Sequence, residues 1–235
     1  MATTDVTASL QGIVSKIGFG TTWSAMRNAT SGDSATTYTS ATNVGGAISA
    51  EFESGRFGSF GGIARTYLFF DIEDAGVTTN ITGLSLKVPG VSNNSSSVIP
   101  IEGTAWGGSG GTTTLTNAMF NDLNFNRAYA TSTSNWSTSG YNTFSLNNNA
   151  ISDANSDGYL NVVLLNASND YPNVSPFALS VSAGVRFKNN SQPIELVVTH
   201  ADAGYGNEVN GVSGANINRV IAVPKANIAR VIGVP

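Results

Sequence analysis

The densest apolar text in the chain, Arg65-Thr-Tyr-Leu-Phe-Phe-Asp-Ile72, puts Tyr67 and Phe69 on one side of an extended backbone and Leu68, Phe70 and Ile72 on the other. Both faces are then largely apolar, which predicts a central strand. Gly55, Gly58, Gly61 and Gly62 precede the run and Glu73-Asp-Ala-Gly76 follows it. It is bounded by turn chemistry and too short for a typical helix.

Other stretches read as strands around it. Leu84-Ser-Leu-Lys-Val88 alternates strictly, with Leu84, Leu86 and Val88 expected on the buried side and Pro89-Gly90 expected to end it. Val98 to Thr104 is a strand whose Pro100 points to an edge or a bulge. Val44 to Glu53, Tyr141 to Leu146, Tyr159 to Leu165, Ala183 to Lys188 and Ile194 to His200 complete the strand set. Thr116 to Asp122 suggests a short capped helix, Trp23 to Asp33 a strand or loop, and Asn147 to Gly158 a long Asn/Asp loop. Leu10, Ile13, Val14, Ile17 and Phe19 form an apolar stripe whose spacing suits a short helix or an irregular arm over residues 1–20. Short strands with turn signals between them and little helix predict an all-β, two-sheet sandwich over residues 21–204.

Composition narrows what such a fold could do. A chain of 235 residues can bury a sizeable core in one domain. Only 11% of its residues are charged, against about 25% in ordinary soluble domains. That surface suits packing among subunits, because few charges need desolvating, and it equally suits an extracellular sugar-binding face. A net charge of −4 argues against a duplex nucleic-acid partner. No apolar run approaches the roughly 20 residues of a membrane-spanning helix, and Met1 to Asp5 lacks the features of a signal peptide. Cysteine is absent, excluding disulfides, thiolate metal sites and a cysteine nucleophile. Synthesis in a reducing cytoplasm is the expectation, with exit by lysis or by a route that needs no cleaved leader if the protein works outside a cell.

Candidate chemistry is sparse. His200, the one histidine, ends a predicted strand and reads as structural; no catalytic residue and no cofactor are expected. Asp153, Asn155 and Asp157, with Gly158 at the sixth position, match the opening of an EF-hand loop, but Leu164 stands where the bidentate glutamate belongs. A calcium site there is the minor reading and an Asx-rich turn the major one. Gly107 to Gly111 lacks the lysine of a phosphate-binding loop and reads as flexible. Trp23, Trp106 and Trp136 could stack on sugar rings if they share an exposed face; otherwise they fill the core.

Past Gly204 the text repeats with a register of 11 residues: Val209, Val220 and Val231 correspond, as do Val212, Val223 and Val234, Ile217 and Ile228, and Arg219 and Arg230. Pro224 and the glycine and β-branched content argue against one continuous helix. Short extended rungs are favoured, with a short helix begun at Pro224 left open. Two and a half units cannot bury their own apolar face, so residues 205–235 read as an assembly segment that needs another surface, the alternative being a tail folded back on its own sandwich.

The order Arg65 to Ile72, Ile81 to Leu86, Ser139 to Leu146 and Pro193 to Thr199 resembles jelly-roll modules of the DNRLRE or carbohydrate-binding type, over roughly residues 21–200. Such modules occur in bacteriophage virion proteins, and the Asn-Ile-x-Arg-Val-Ile-Gly-Val wording resembles C-terminal segments of tailed-phage structural proteins. The resemblance implies a non-enzymatic virion subunit on capsid or tail. It would assemble through its repeat with other virion proteins or as a homo-oligomer, a trimer being one arrangement. The alternative it leaves is a carbohydrate-binding module for surface glycans.

Overall fold

The computed structural model describes residues 1–56, 58–77, 80–104, 114–176 and 179–201, together with the backbone of 219–220 and 223–224. Its strands are β1 (Ala2–Thr7), β2 (Leu10–Phe19), β3 (Ser34–Thr37), β4 (Thr42–Gly55), β5 (Gly58–Asp71), β6 (Ile81–Asn94), β7 (Val98–Gly103), β8 (Leu123–Ala128), β9 (Tyr141–Ser145), β10 (Tyr159–Asn166), β11 (Leu179–Phe187) and β12 (Glu195–His200). Two short helices, α1 (Trp23–Arg27) and α2 (Asn148–Asp157), and a 3-10 turn at Asn117–Asn121 interrupt them. Among the described residues strands hold 55% and helix 11%, so the protein is all-β.

The central strand expected from the sequence is β5. Strand β2 runs along one of its edges from Phe19↔Phe60 to Leu10↔Phe69, while β4 and β10 share the other edge end to end, at Ser49↔Ala64 to Gly55↔Gly58 and at Tyr159↔Asp71 to Leu164↔Thr66. Beyond β4 lies β11, and beyond β10 lie β7 and β8. Strand β6 joins this layer to a second one. Residues 81–89 pair with β12 and β9, and residues 90–93 pair with β11. The second layer is closed by β1 on β12, from Ala2↔His200 to Thr7↔Glu195.

Side-chain parity along β5 creates two cores. Leu68, Phe70 and Ile72 point between the layers, against Leu84, Leu86 and Val88 of β6, Phe144 of β9 and Leu196 and Val198 of β12. Ile63, Tyr67 and Phe69 point to the opposite face, which is covered by Trp23 and Met26 of α1, Met119 and Phe120 of the 3-10 turn, and Leu123. Each large apolar side chain so buried stabilises the fold by about 1.5–3 kcal/mol.

A charge sits inside the second core. Arg65 is fully buried and grips Asp170 with two hydrogen bonds, Nε to Oδ2 and Nη2 to Oδ1, each 2.7 Å. Its remaining donors reach Phe120 O at 2.6 Å and Arg27 O at 3.0 Å, and its guanidinium lies 4.1 Å from the centroid of the Phe120 ring. Arg27 donates to the backbone carbonyls of Asp170 and Tyr171. The cluster ties β5, α1, the 3-10 turn and the loop after β10 to one point.

Four expectations are corrected. Residues 1–20 are not an arm or a helix: β1 and β2 belong to the sheets, so the sandwich begins at Ala2. Trp23 to Arg27 is helical, capped by Thr22 Oγ1, which accepts from Ala25 N–H at 3.2 Å. Pro89-Gly90 does not end β6, which bends there and continues to Asn94. Gly90 is required at that bend, since a Cβ would stand 2.6 Å from Trp136 Nε1. Finally, the Asn/Asp-rich stretch after Asn147 is helix α2, with Asn147 Oδ1 accepting from Asn149 and Ala150 N–H and Gly158 ending it at φ 73°. Pro100 lies beside a register shift at Ile101/Glu102, in keeping with the expected bulge, though β7 is flanked by strands on both sides.

Candidate functional site

The residues singled out from sequence scatter through the fold. Trp23 and Trp136 are core residues, only 5% and 4% exposed. Trp136 Nε1–H donates to Gly184 O at 3.0 Å. Neither offers a ring face to a sugar, which corrects that expectation, and Trp106 lies outside the described residues. The Gly107 to Gly111 loop lies outside them as well. His200 uses both ring nitrogens, Nδ1–H donating to Ala201 O at 2.8 Å and Nε2 accepting from Thr4 Oγ1 at 3.0 Å.

The helical state of α2 also corrects the calcium reading. Alternate positions on a strand or loop can converge on one ion, but on a helix they point about 200° apart. Asp153 instead pairs with Arg127, through Nε at 3.2 Å and a short contact from Nη2, and accepts from Tyr129 Oη–H at 2.7 Å. Asn155 serves as a substitute strand neighbour, its Oδ1 accepting from Ile81 N–H at 2.8 Å and its Nδ2 donating to Ile81 O at 2.9 Å. No metal-holding group of acidic or histidine side chains occurs among the described residues.

Around Asp153 a polar cleft of about 150 Å³ is lined by Glu102, Tyr129, Asp153, Asp157 and Asn161. Arg127 bridges two of its three carboxylates, Glu102 and Asp153, with Nε 3.5 Å from Glu102 Oε2, and Asn124 Nδ2 donates to the same Oε2 at 2.8 Å. Burial, together with the Asp153 carboxylate, pushes the Tyr129 phenol well above its ordinary range, so it remains a proton donor. This arrangement fastens α2 to β7 and β8. Its donors and acceptors are turned toward one another.

An aromatic face at the opposite end of β5 is turned outward. Phe19 is 76% exposed, Ile17 49% and Phe60 40%. Phe19 and Phe60 are cross-strand partners whose ring centroids stand 5.2 Å apart at 52°. Ile17 lies opposite Gly62, Glu53 opposite Phe60, and Glu51 opposite Gly62. By strand parity these side chains share the face that carries Leu68 and Phe70 further along, where the second layer covers it. Here the sheet runs on past that cover. The face pairs apolar rings with two carboxylates and can hold an apolar, cationic segment.

Sequence reading placed Ile17 and Phe19 in an apolar stripe but missed this face. The signal was available in the period-two spacing of Ile13, Ile17 and Phe19 with β-branched Val14, which fits a strand better than a helix. Of the assembly residues, Arg219–Val220 and Val223–Pro224 form β13 and β14, paired antiparallel, an extended backbone at these four positions. The side chains of Arg219, Val220 and Val223, and Val209, Val212, Ile217, Ile228, Arg230, Val231 and Val234 altogether, lie outside the described residues.

No protein-family model matches the chain, and no curated protein matches it at a significant level.

Proposed function

We propose that the protein is a non-enzymatic structural subunit of a tailed-phage particle, a jelly-roll sandwich displayed on head or tail that assembles through residues 209–235. The observation that carries this reading is the 11-residue repeat placed after a strand with no free edge. Strand β12 is flanked by β1 and β6, so both of its edges are taken where the described sandwich ends, at Ala201. Residues 209–235 are rich in Val and Ile and too few to bury their own apolar side chains. Coverage by neighbouring subunits resolves that deficit, and the low charge of the chain keeps the desolvation cost of packing small.

Light scattering behind size exclusion tests the assembly, comparing the full chain with one ending at Gly204. A defined oligomer for the full chain and a folded monomer for the shorter one are expected. Two monomers of equal melting temperature would remove self-assembly. Purified particles free of this polypeptide by mass spectrometry would remove the virion placement.

A further inference from the structure

We infer that the acceptor for the C-terminal repeat is the open face of β2, β4 and β5 around Phe19 and Phe60, and that it takes the repeat of a second copy, head to tail. The inference rests on the reading of residues 209–235 as an assembly segment and adds where that segment goes.

Chemical fit comes first. Ile17, Phe19 and Phe60 leave an apolar patch in water at one end of the sheet, with Gly62 as a floor between them and β4. Around that floor the only charged side chains on the same face of the paired strands are acidic: Glu51 and Glu53 of β4 make no ion pair among the described residues. Lys16 has the opposite parity and is held by Asp33 Oδ1 at 2.8 Å. Arg56, in the turn between β4 and β5, is the nearest competing cation in sequence. The repeat is the complement of this face. Residues 209–235 contain no acidic side chain and three basic ones, Arg219, Lys225 and Arg230, set among Val and Ile. Apolar burial supplies the attraction, and the opposed charges set register and orientation.

Geometry selects the copy. The described part of the sandwich ends at Ala201, whose N–H donates to Asn80 O. The neighbouring Ile81 is bound by Asn155 in the last turn of α2, and Gly158 at the end of that helix accepts from Ile72 N–H just past β5. The outlet therefore lies at the Asp71 end of β5. Phe60 lies at the other end, about 36 Å away at the rise of an extended strand. Val209 follows Ala201 by a stretch that spans at most about 29 Å when fully extended. Val209 cannot reach its own Phe60, whereas the face of a neighbour stacked end to end stands at the outlet; a repeat seated from its first valine is therefore seated on a second copy. Donor and acceptor are different surfaces, so the contact is heterologous and builds a ring or an open filament rather than a twofold dimer.

Two full-length variants test this. The acceptor variant carries Phe19→Ser and Phe60→Ser, both at exposed positions; the donor variant carries Val209→Asp, Val220→Asp and Val231→Asp. Circular dichroism and melting temperature verify that each is folded. By light scattering each variant alone is expected to be monomeric. Their equimolar mixture is expected to give a dimer and nothing larger, because one intact tail meets one intact face. Glu51→Lys with Glu53→Lys in the acceptor-competent partner should weaken that dimer at least about tenfold. An acceptor variant that keeps the wild-type oligomer size would overturn the acceptor site while leaving the repeat as an assembly segment. So would two monomeric variants whose mixture stays monomeric. A wild-type chain that is itself monomeric would overturn the site and the assembly reading together.

Discussion

Arg65 stands in the middle of the most apolar strand of the protein, where an unpaired cation would be costly. Asp170, also fully buried, supplies a two-pronged carboxylate, and the carbonyls of Phe120 and Arg27 take the remaining donors. Replacing the whole pair by apolar side chains need not cost stability, but removing one partner leaves a buried charge without compensation. Asp170→Ala is therefore expected to lower the unfolding free energy by about 3–5 kcal/mol, measured by urea denaturation. The loss should be much larger than for Asp33→Ala, whose ion pair with Lys16 is exposed to solvent and contributes about 0–1 kcal/mol. Nothing in the sequence pairs Arg65 with a residue 105 positions away. The arginine could be read in its strand; its partner could not.

At the scale of elements, α2 is where local chemistry and outcome part. Asn and Asp compete with the helical backbone and usually mark turns, so the text after Asn147 reads as a loop. Three things outside local propensity make it a helix. Asn147 caps it, Ala150 and Ala154 are spaced by one turn and fully buried against the inter-layer core, and Arg127 and Ile81 take up Asp153 and Asn155. Gly158 then ends it in the left-handed region, at φ 73°. An alanine there would be strained and would bring Cβ within 3.1 Å of Glu73 Oε2. Gly158→Ala should lower stability by about 1 kcal/mol, visible as a fall in melting temperature with the fold retained by circular dichroism. Strand β6 teaches the same lesson in reverse. Pro89-Gly90 is stop chemistry in isolation, yet here it is a bend that lets one strand serve both layers.

For the molecule as a whole, the closing contact joins the two ends of the sandwich: Ala2 pairs with His200 and Thr7 with Glu195. Strand β1 covers the edge of β12 and places Val6 and Ala8 in the core. A chain lacking residues 1–7 is expected to lose Val6 burial, about 1.5–3 kcal/mol, and to expose the β12 edge. A lower melting temperature together with concentration-dependent association measures both effects. Trp136 is covered by the core, whereas Ile17, Phe19 and Phe60 face outward together; among the described residues Met1 and Val174 are the other exposed large apolar side chains.

The sequence by itself determined the all-β class, the central place of β5 and the inward faces of β5 and β6, because alternation of apolar side chains is a local property that a pleated strand must obey. It also determined that residues 209–235 repeat. Tertiary structure alone decided that Ala2–Thr7 pair with β12, that residues 148–157 are helical and that Trp23 and Trp136 are buried. It also decided that Arg65 meets Asp170 and that Phe19 and Phe60 stand together beyond the second layer. Each of these depends on which distant segment arrives alongside, and burial, partner and exposure are properties of that arrival rather than of the local text.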